Sequence, residues 1–167
     1  MAGIRVTGIS DVIKALNDLK PTREEAISIL TKAANPVWKS MKQKAPVDKA
    51  VLQKAIVIKD ISETGMIQIG IGVFDPDVVK YAIYQEFGTG KYATGPGGSR
   101  AKRIPWLWKV TSQKWADIFG IEVGQTVLWY GNHPHPFVRP AWDEELENVR
   151  KLIVKGISDT IVKRQTP

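Results

Sequence analysis

Few residues in this chain are of the types that do chemistry, and their spacing argues against it. His133 and His135 are its only histidines, and a His-x-His pair can place two imidazoles on one metal ion. Pro134 and Pro136 surround them, no carboxylate lies nearby in sequence and no third ligand is evident, so the pair alone does not make a metal site. A Ser-His-Asp arrangement would need one of them as base, yet the chain has no nucleophile elbow. The carboxylates at Glu24-Glu25 and from Asp143 to Glu147 open helices, where the helix dipole already accounts for them. Glycines 88, 90, 95, 97 and 98 suggest a phosphate loop, but the Walker lysine spacing is missing and Pro96 interrupts them. There is no cysteine, which removes thiolate catalysis, disulfides and every thiolate-ligated metal. The expectation is a protein that is not an enzyme, with no catalytic residue, cofactor or metal.

The side chains that remain conspicuous are basic and aromatic. The 167 residues carry 24 Lys and Arg against 17 Asp and Glu, a net +7. Residues 1–60 hold eleven basic and six acidic side chains, 61–90 one and four, 91–140 seven and two, and 141–167 five of each. Lys91, Arg100, Lys102 and Arg103 cluster in a Gly-rich stretch that suits a polyanion such as DNA. No base-reading motif accompanies them, so such contact would be independent of sequence, and a basic surface also serves solubility alone. Four of the six tryptophans fall in the same middle region, where aromatic density asks for a core or a partner. Apolar runs such as 55–58 and 127–130 are far shorter than the roughly 18 residues that span a bilayer. The first residues lack the basic-then-apolar pattern of a secretory signal. A protein that works where it is made, or leaves inside something larger, is expected.

The elements that must position these residues follow from periodicity. Ser10 caps a short helix through Leu19, ending before Pro21. Thr22 and Glu25 have capping-box spacing, and Ala26, Leu30, Ala33, Val37 and Met41 form one stripe of a long helix to about Lys44, with Lys32, Lys39 and Lys42 outside. Pro36 inside it predicts a kink. The period then changes to 2. Residues 55–59, and Ile67, Ile69, Ile71 and Val73, read as a hairpin turning around Ser62 to Gly65. Val78 to Phe87 has the spacing of a short helix, and strands are expected at 104–110, 121–123 and 126–130. From Ala141 to about Lys163 a second long helix has Trp142, Leu146, Val149, Ile153, Ile157 and Ile161 as its buried stripe, with acidic residues in the first turn. Gly156 is either its weak point or a site of close packing. The fold class expected is α+β: a small antiparallel sheet packed against two long helices, in a single domain over 1–167 with an extended loop or β-arm over 91–133.

Two stretches carry a family likeness. Tyr81-Ala82-Ile83-Tyr84-Gln85-Glu86-Phe87-Gly88-Thr89-Gly90, with His135-Pro136-Phe137-Val138-Arg139-Pro140-Ala141, resembles the gene-product-ten-like family of phage HK-ninety-seven. These are small tail components, neck proteins or head–tail joining proteins of tailed phages and prophages. Ala45-Pro46 closing the first long helix fits the same pattern, and the order of elements covers nearly the whole chain. Two features depart from it: Asp48-Lys49-Ala50-Val51-Leu52 replaces a short Gly-Leu turn, and the segment from Lys91 to Asn132 is unusually long and rich in tryptophan.

The resemblance implies a structural virion protein, made in the host bacterial cytoplasm, whose ring joins the head connector to the tail tube. A tail terminator capping that tube, or a basic nucleic-acid-binding domain, are the alternatives. Its partners would be other copies of itself, head-closure or connector proteins, and tail-tube or terminator proteins, with non-specific contact to genomic DNA in the channel. Glu86, Phe87, Gly88, Thr89, Trp106, Trp108, Phe137 and Arg139 are the interface candidates, and Lys91, Arg100, Lys102 and Arg103 the channel or docking loop. The motif residues also admit a local reading, with Phe137 as a hydrophobic staple for the last helix and Arg139 capping it or pairing with Glu86.

Overall fold

The computed structural model describes residues 17–47, 50–95, 97–98 and 104–165. The helix expected from Ser10 lies largely outside them, as do Arg100, Lys102 and Arg103. In chain order the described elements are α1 (Arg23–Lys44), α2 (Val51–Ala55), β1 (Ile56–Asp60), β2 (Ile69–Val73), α3 (Pro76–Phe87), a 3-10 turn (Gly90–Tyr92), β3 (Trp106–Lys109), α4 (Gln113–Phe119), β4 (Thr126–Trp129) and α5 (Val138–Gln165). The class is α+β, and the strands form two separate antiparallel pairs, β1 with β2 and β3 with β4, instead of one sheet. Residues 121–123, expected as a strand, are turn and coil. Gly120 at φ 63° ends α4, and Gly124 donates to the Val110 carbonyl at 2.7 Å, so the chain is already turning there.

The chain divides into two compact units. One takes the residues up to Lys39, 58–71 and those from Trp142 onward; the other takes Ser40–Val57 and Gly72–Ala141. In the first, α1 begins with the capping box legible in the sequence. The Glu25 amide donates to Thr22 Oγ1 at 3.3 Å, and the Thr22 amide donates back to Glu25 Oε2 at 2.8 Å. Glu25 also pairs with Arg164 in the last turn of α5, and Arg164 donates to the carbonyls of Asp18 and Lys20. The β1–β2 hairpin turns through Thr64 and Gly65, with Gly65 at φ 82°, and Glu63 and Met66 exchange backbone bonds across it.

Of the stripe expected along α5, Leu146, Val149, Ile153 and Ile161 are buried or half-buried, while Trp142 and Ile157 are exposed and Leu152 and Gly156 join the inward face. A Cβ on Gly156 would lie 2.8 Å from Ile29 Cγ2, so α1 and α5 approach each other as closely as a bare backbone allows. Helix α5 also begins at Val138, earlier than expected, which moves Asp143 and Glu144 out of the first turn. Something else must satisfy its N-terminal amides.

The second unit buries Met41, Ala45, Leu52, Ile56, Ala82, Val110, Ala116 and Phe137. Helix α2 lies against α3, and Gln53 Nε2 donates to the Lys42 carbonyl at 2.9 Å.

Gly156→Ala should lower stability by about 1 kcal/mol, the overpacking cost of roughly 1–3 kcal/mol exceeding the gain of about 1 kcal/mol in helix propensity. Thermal melts of Gly156→Ala, Ile29→Ala and the double variant test this. The double variant should lose less than the sum of the two single losses, and strict additivity would contradict the close approach.

Candidate functional site

The two recognised motifs meet at Glu86. Helix α3 starts on Asp75, whose side chain accepts from the Asp77 amide, and runs through Pro76 to Phe87, bringing Glu86 to its last turn with only 4 % of the residue exposed. A buried carboxylate is costly unless it is paired and hydrogen-bonded. Here Oε2 accepts from the Phe137 amide at 2.7 Å and the Val138 amide at 2.9 Å, while Oε1 accepts from the Arg139 amide at 3.2 Å and Arg139 Nε at 2.8 Å. Glu86 therefore supplies the cap that the first turn of α5 lacks in its own sequence. Burial pushes its carboxyl upward, but the bonds from Val138, Arg139 and Phe137 outweigh burial and hold it below the usual carboxylate range.

The same contact closes the other helix end. Gly88 donates to the Tyr84 carbonyl at 2.8 Å, His135 to Gln85 at 2.6 Å, Arg139 Nη2 to Glu86 at 3.1 Å and Thr94 to Phe87 at 2.7 Å. All four terminal carbonyls of α3 thereby find donors. The Arg139 guanidinium stands 4.9 Å from the Phe87 ring centroid, and Gly95 and Gly97 pack on that ring. Phe137 is 1 % exposed and belongs to the core of this unit.

Gly88-Thr89-Gly90 then threads along residues 130–132. The Thr89 amide donates to the Asn132 carbonyl and the Asn132 amide to Thr89 Oγ1, both at 2.9 Å, and Lys91 donates to Tyr130 at 2.7 Å. Gly90 (φ 61°) and Gly131 (φ 120°) cross so closely that a Cβ on either would overlap backbone of the other strand.

Beyond this clasp lies the arm. Trp106 packs on Gly90, while Trp108, Trp115, Phe119 and Trp129 form a cluster with ring centroids 5.3–6.2 Å apart. Helix α4, which carries Trp115 and Phe119, was not expected; Ser112 before it and Gly120 after it were the signals available. Asn132 and Gly131 were not singled out either, because nothing local marks a partner some forty residues away.

Of the expected site residues, then, Glu86, Phe87, Gly88, Thr89, Phe137 and Arg139 come together in the clasp, and Trp106 and Trp108 belong to the arm. Lys91 is exposed at the arm's base. The His133 ring stacks on Tyr92 with centroids 3.7 Å apart. Among the described residues no group of three His, Cys, Asp or Glu side chains is gathered to hold a metal, and no helix is long and apolar enough to cross a membrane. A carboxylate held ionised with both oxygens occupied is suited to fastening, since proton transfer would require a pKa raised toward neutrality.

Glu86→Gln should cost about 3 kcal/mol, because the amide cannot accept from three amides and Arg139 together. The folded carboxyl protonates at lower pH than the unfolded one. Its stabilisation is therefore complete above about pH 4.3 and fades as pH falls through the folded value. Denaturant melts from pH 7 to 3 should show a steeper acid loss in the wild type than in Glu86→Gln, and parallel profiles would contradict the assignment.

No curated protein and no solved structure is similar enough to match the chain. Residues 10–88 match the HK97-gp10-like family, described as "Bacteriophage HK97-gp10, putative tail-component". The matched residues include α1, the β1–β2 hairpin and α3 with Glu86, and end at Gly88 where the clasp begins. Over residues 10–88, then, the chain is similar to the HK97-gp10-like family.

Proposed function

We propose that this is a structural virion protein of a tailed phage or prophage, one subunit of a ring in the neck or tail-completion region that joins the head connector to the tail tube. The tail-component match over residues 10–88 carries this reading. The clasp supports it, because its charged residues are spent on holding shape and none is left poised for proton transfer. The protein acts geometrically: copies repeat through heterologous contacts until the ring closes, and their arms reach the rings above and below. Its partners are copies of itself, the connector or head-closure protein, and tail-tube or terminator proteins. Lys91, Arg100, Lys102 and Arg103 face either the DNA channel or an adjacent ring. The mature protein resides in the virion after synthesis in the host bacterial cytoplasm.

Deleting the gene from its phage and imaging the lysate tests this. Filled heads beside complete, unattached tails of normal length are expected. Overlong tails would assign the protein as the terminator that caps the tube, and intact infectious particles would overturn both assignments. A gel shift with random-sequence DNA addresses the nucleic-acid reading, which demands tight binding that falls steeply with salt.

A further inference from the structure

The β3–β4 arm has two open edges. Among the described residues no third strand joins this pair. Its register sets Trp106 against Trp129, Leu107 against Leu128, Trp108 against Val127 and Lys109 against Thr126. In an antiparallel ladder every second pair exchanges backbone bonds, and the pairs between them turn their amides and carbonyls outward. Two bonds show which pairs are which. The Val110 amide donates to the Gln125 carbonyl at 2.9 Å, so that pair is bonded across the ladder. The Tyr130 carbonyl is turned away from β3, because it accepts from the Lys91 amide at 2.7 Å. Both observations place the outward groups at Leu107 and Lys109 on β3 and at Thr126 and Leu128 on β4.

Little keeps these edges from pairing. Between Thr126 and Trp129 there is no proline and no charge, and Lys109 is the single charge on β3. Side chains alternate, so Leu107 and Leu128 point away from the tryptophans and from α4, and they are 73 % and 59 % exposed. The aromatic cluster lies on the opposite face, and the fold of one copy makes no use of the leucine pair.

The two edges are complementary. Each presents two outward residues, two positions apart. A β4 edge therefore meets the β3 edge of another copy antiparallel, with Leu128 opposite Leu107 and Thr126 opposite Lys109, and every outward amide and carbonyl of the four residues finds a partner. This register repeats the one inside the arm, sets leucine beside leucine and brings no like charges together. Two β3 edges would instead set Leu107 against Lys109 and leave both β4 edges open. The helix layer leaves room as well: two strands per copy repeat at about 9.6 Å, and helices pack side by side at roughly 8–10 Å, so each α4 covers its own pair.

We infer that a second copy of this chain continues the arm's sheet, the β4 edge of one copy pairing with the β3 edge of the next through Leu128 with Leu107 and Thr126 with Lys109. This rests on the ring reading above and names the contact that repeats around the ring. Two different edges meeting head to tail make a heterologous interface, and its closure leaves no arm edge open.

The chain has no cysteine, so single introduced thiols report the pairing. Leu107→Cys and Leu128→Cys chains, coexpressed and then oxidised, should give a disulfide-linked dimer with one chain of each kind. Either variant alone should give none, because like positions in neighbouring copies stand about 9.6 Å apart, beyond the roughly 7 Å that a disulfide bridges. Leu128→Pro removes one outward amide and spares the bonds inside the arm. Light scattering should show its assembly lost while the near-ultraviolet circular dichroism of the tryptophan cluster is kept, and Leu128→Val should assemble like the wild type. If the proline variant misfolds, the thiol pair decides alone. Cross-linking of Leu107→Cys chains with one another overturns the head-to-tail pairing in favour of matched β3 edges. Assembled chains whose mixed thiols stay unlinked, or a folded Leu128→Pro that assembles like the wild type, overturn the pairing and leave the ring reading standing. A wild type that never self-associates, alone or recovered from particles, overturns the ring reading together with it.

Discussion

The second unit depends on the carboxylate of Glu86, buried where the end of one helix meets the start of another. A helix end leaves backbone groups without partners, and two such ends brought together inside a protein leave two sets at once. Glu86 answers both. Its side chain takes the amides of Phe137, Val138 and Arg139, while its own carbonyl receives Arg139 Nη2. Arg139 balances the buried charge and is itself fixed over Phe87. Because the bonds come from amides whose positions are set by helix geometry, the carboxylate fixes where α5 begins as well as stabilising it. The base of the arm inherits its geometry from that point.

The arm solves a different problem. A two-stranded ribbon is marginal in water on its own, and four residues per strand bury little. Helix α4 supplies the missing layer: Trp115 and Phe119 pack on Trp108 and Trp129, and Val110 and Ala116 are fully buried. Edge-to-face rings give this small assembly directional packing as well as buried area. The aromatic density of residues 91–133 is therefore a core of its own, built at some distance in sequence from the two long helices.

Local patterns were readable to the extent that their partners were local. Thr22 and Glu25, three residues apart, announced the start of α1, and Gly65 announced the hairpin turn. Both α3 and α5 followed from their period. The inward face of α1, with Ala33, Val37 and Met41, and most of that of α5 were legible in the period, but not that Trp142 and Ile157 lie at the exposed edge of α5 while Gly156 faces Ile29. Acidic residues near the start of α5 suggested that it capped itself, whereas its cap arrives from 51 to 53 positions earlier. The Glu86 and Arg139 motifs were recognisable, and their pairing was one of two readings, but the amides that complete it belong to backbone and leave no trace in residue type. Helix α4 was overlooked because seven residues carry too little periodicity to stand out from the tryptophans around them.

The crossing of Gly90 and Gly131 has a consequence for how such a protein can change. The two glycines hold the chain entering and leaving the arm side by side, and bonds from Lys91 to Tyr130 and between Thr89 and Asn132 seal that neck. Everything between is topologically a loop whose ends are already closed, and the cost of lengthening such a loop grows only logarithmically. Arms of other length and composition can be exchanged at this neck without altering the helices behind it. The family match ends at Gly88, just before this neck.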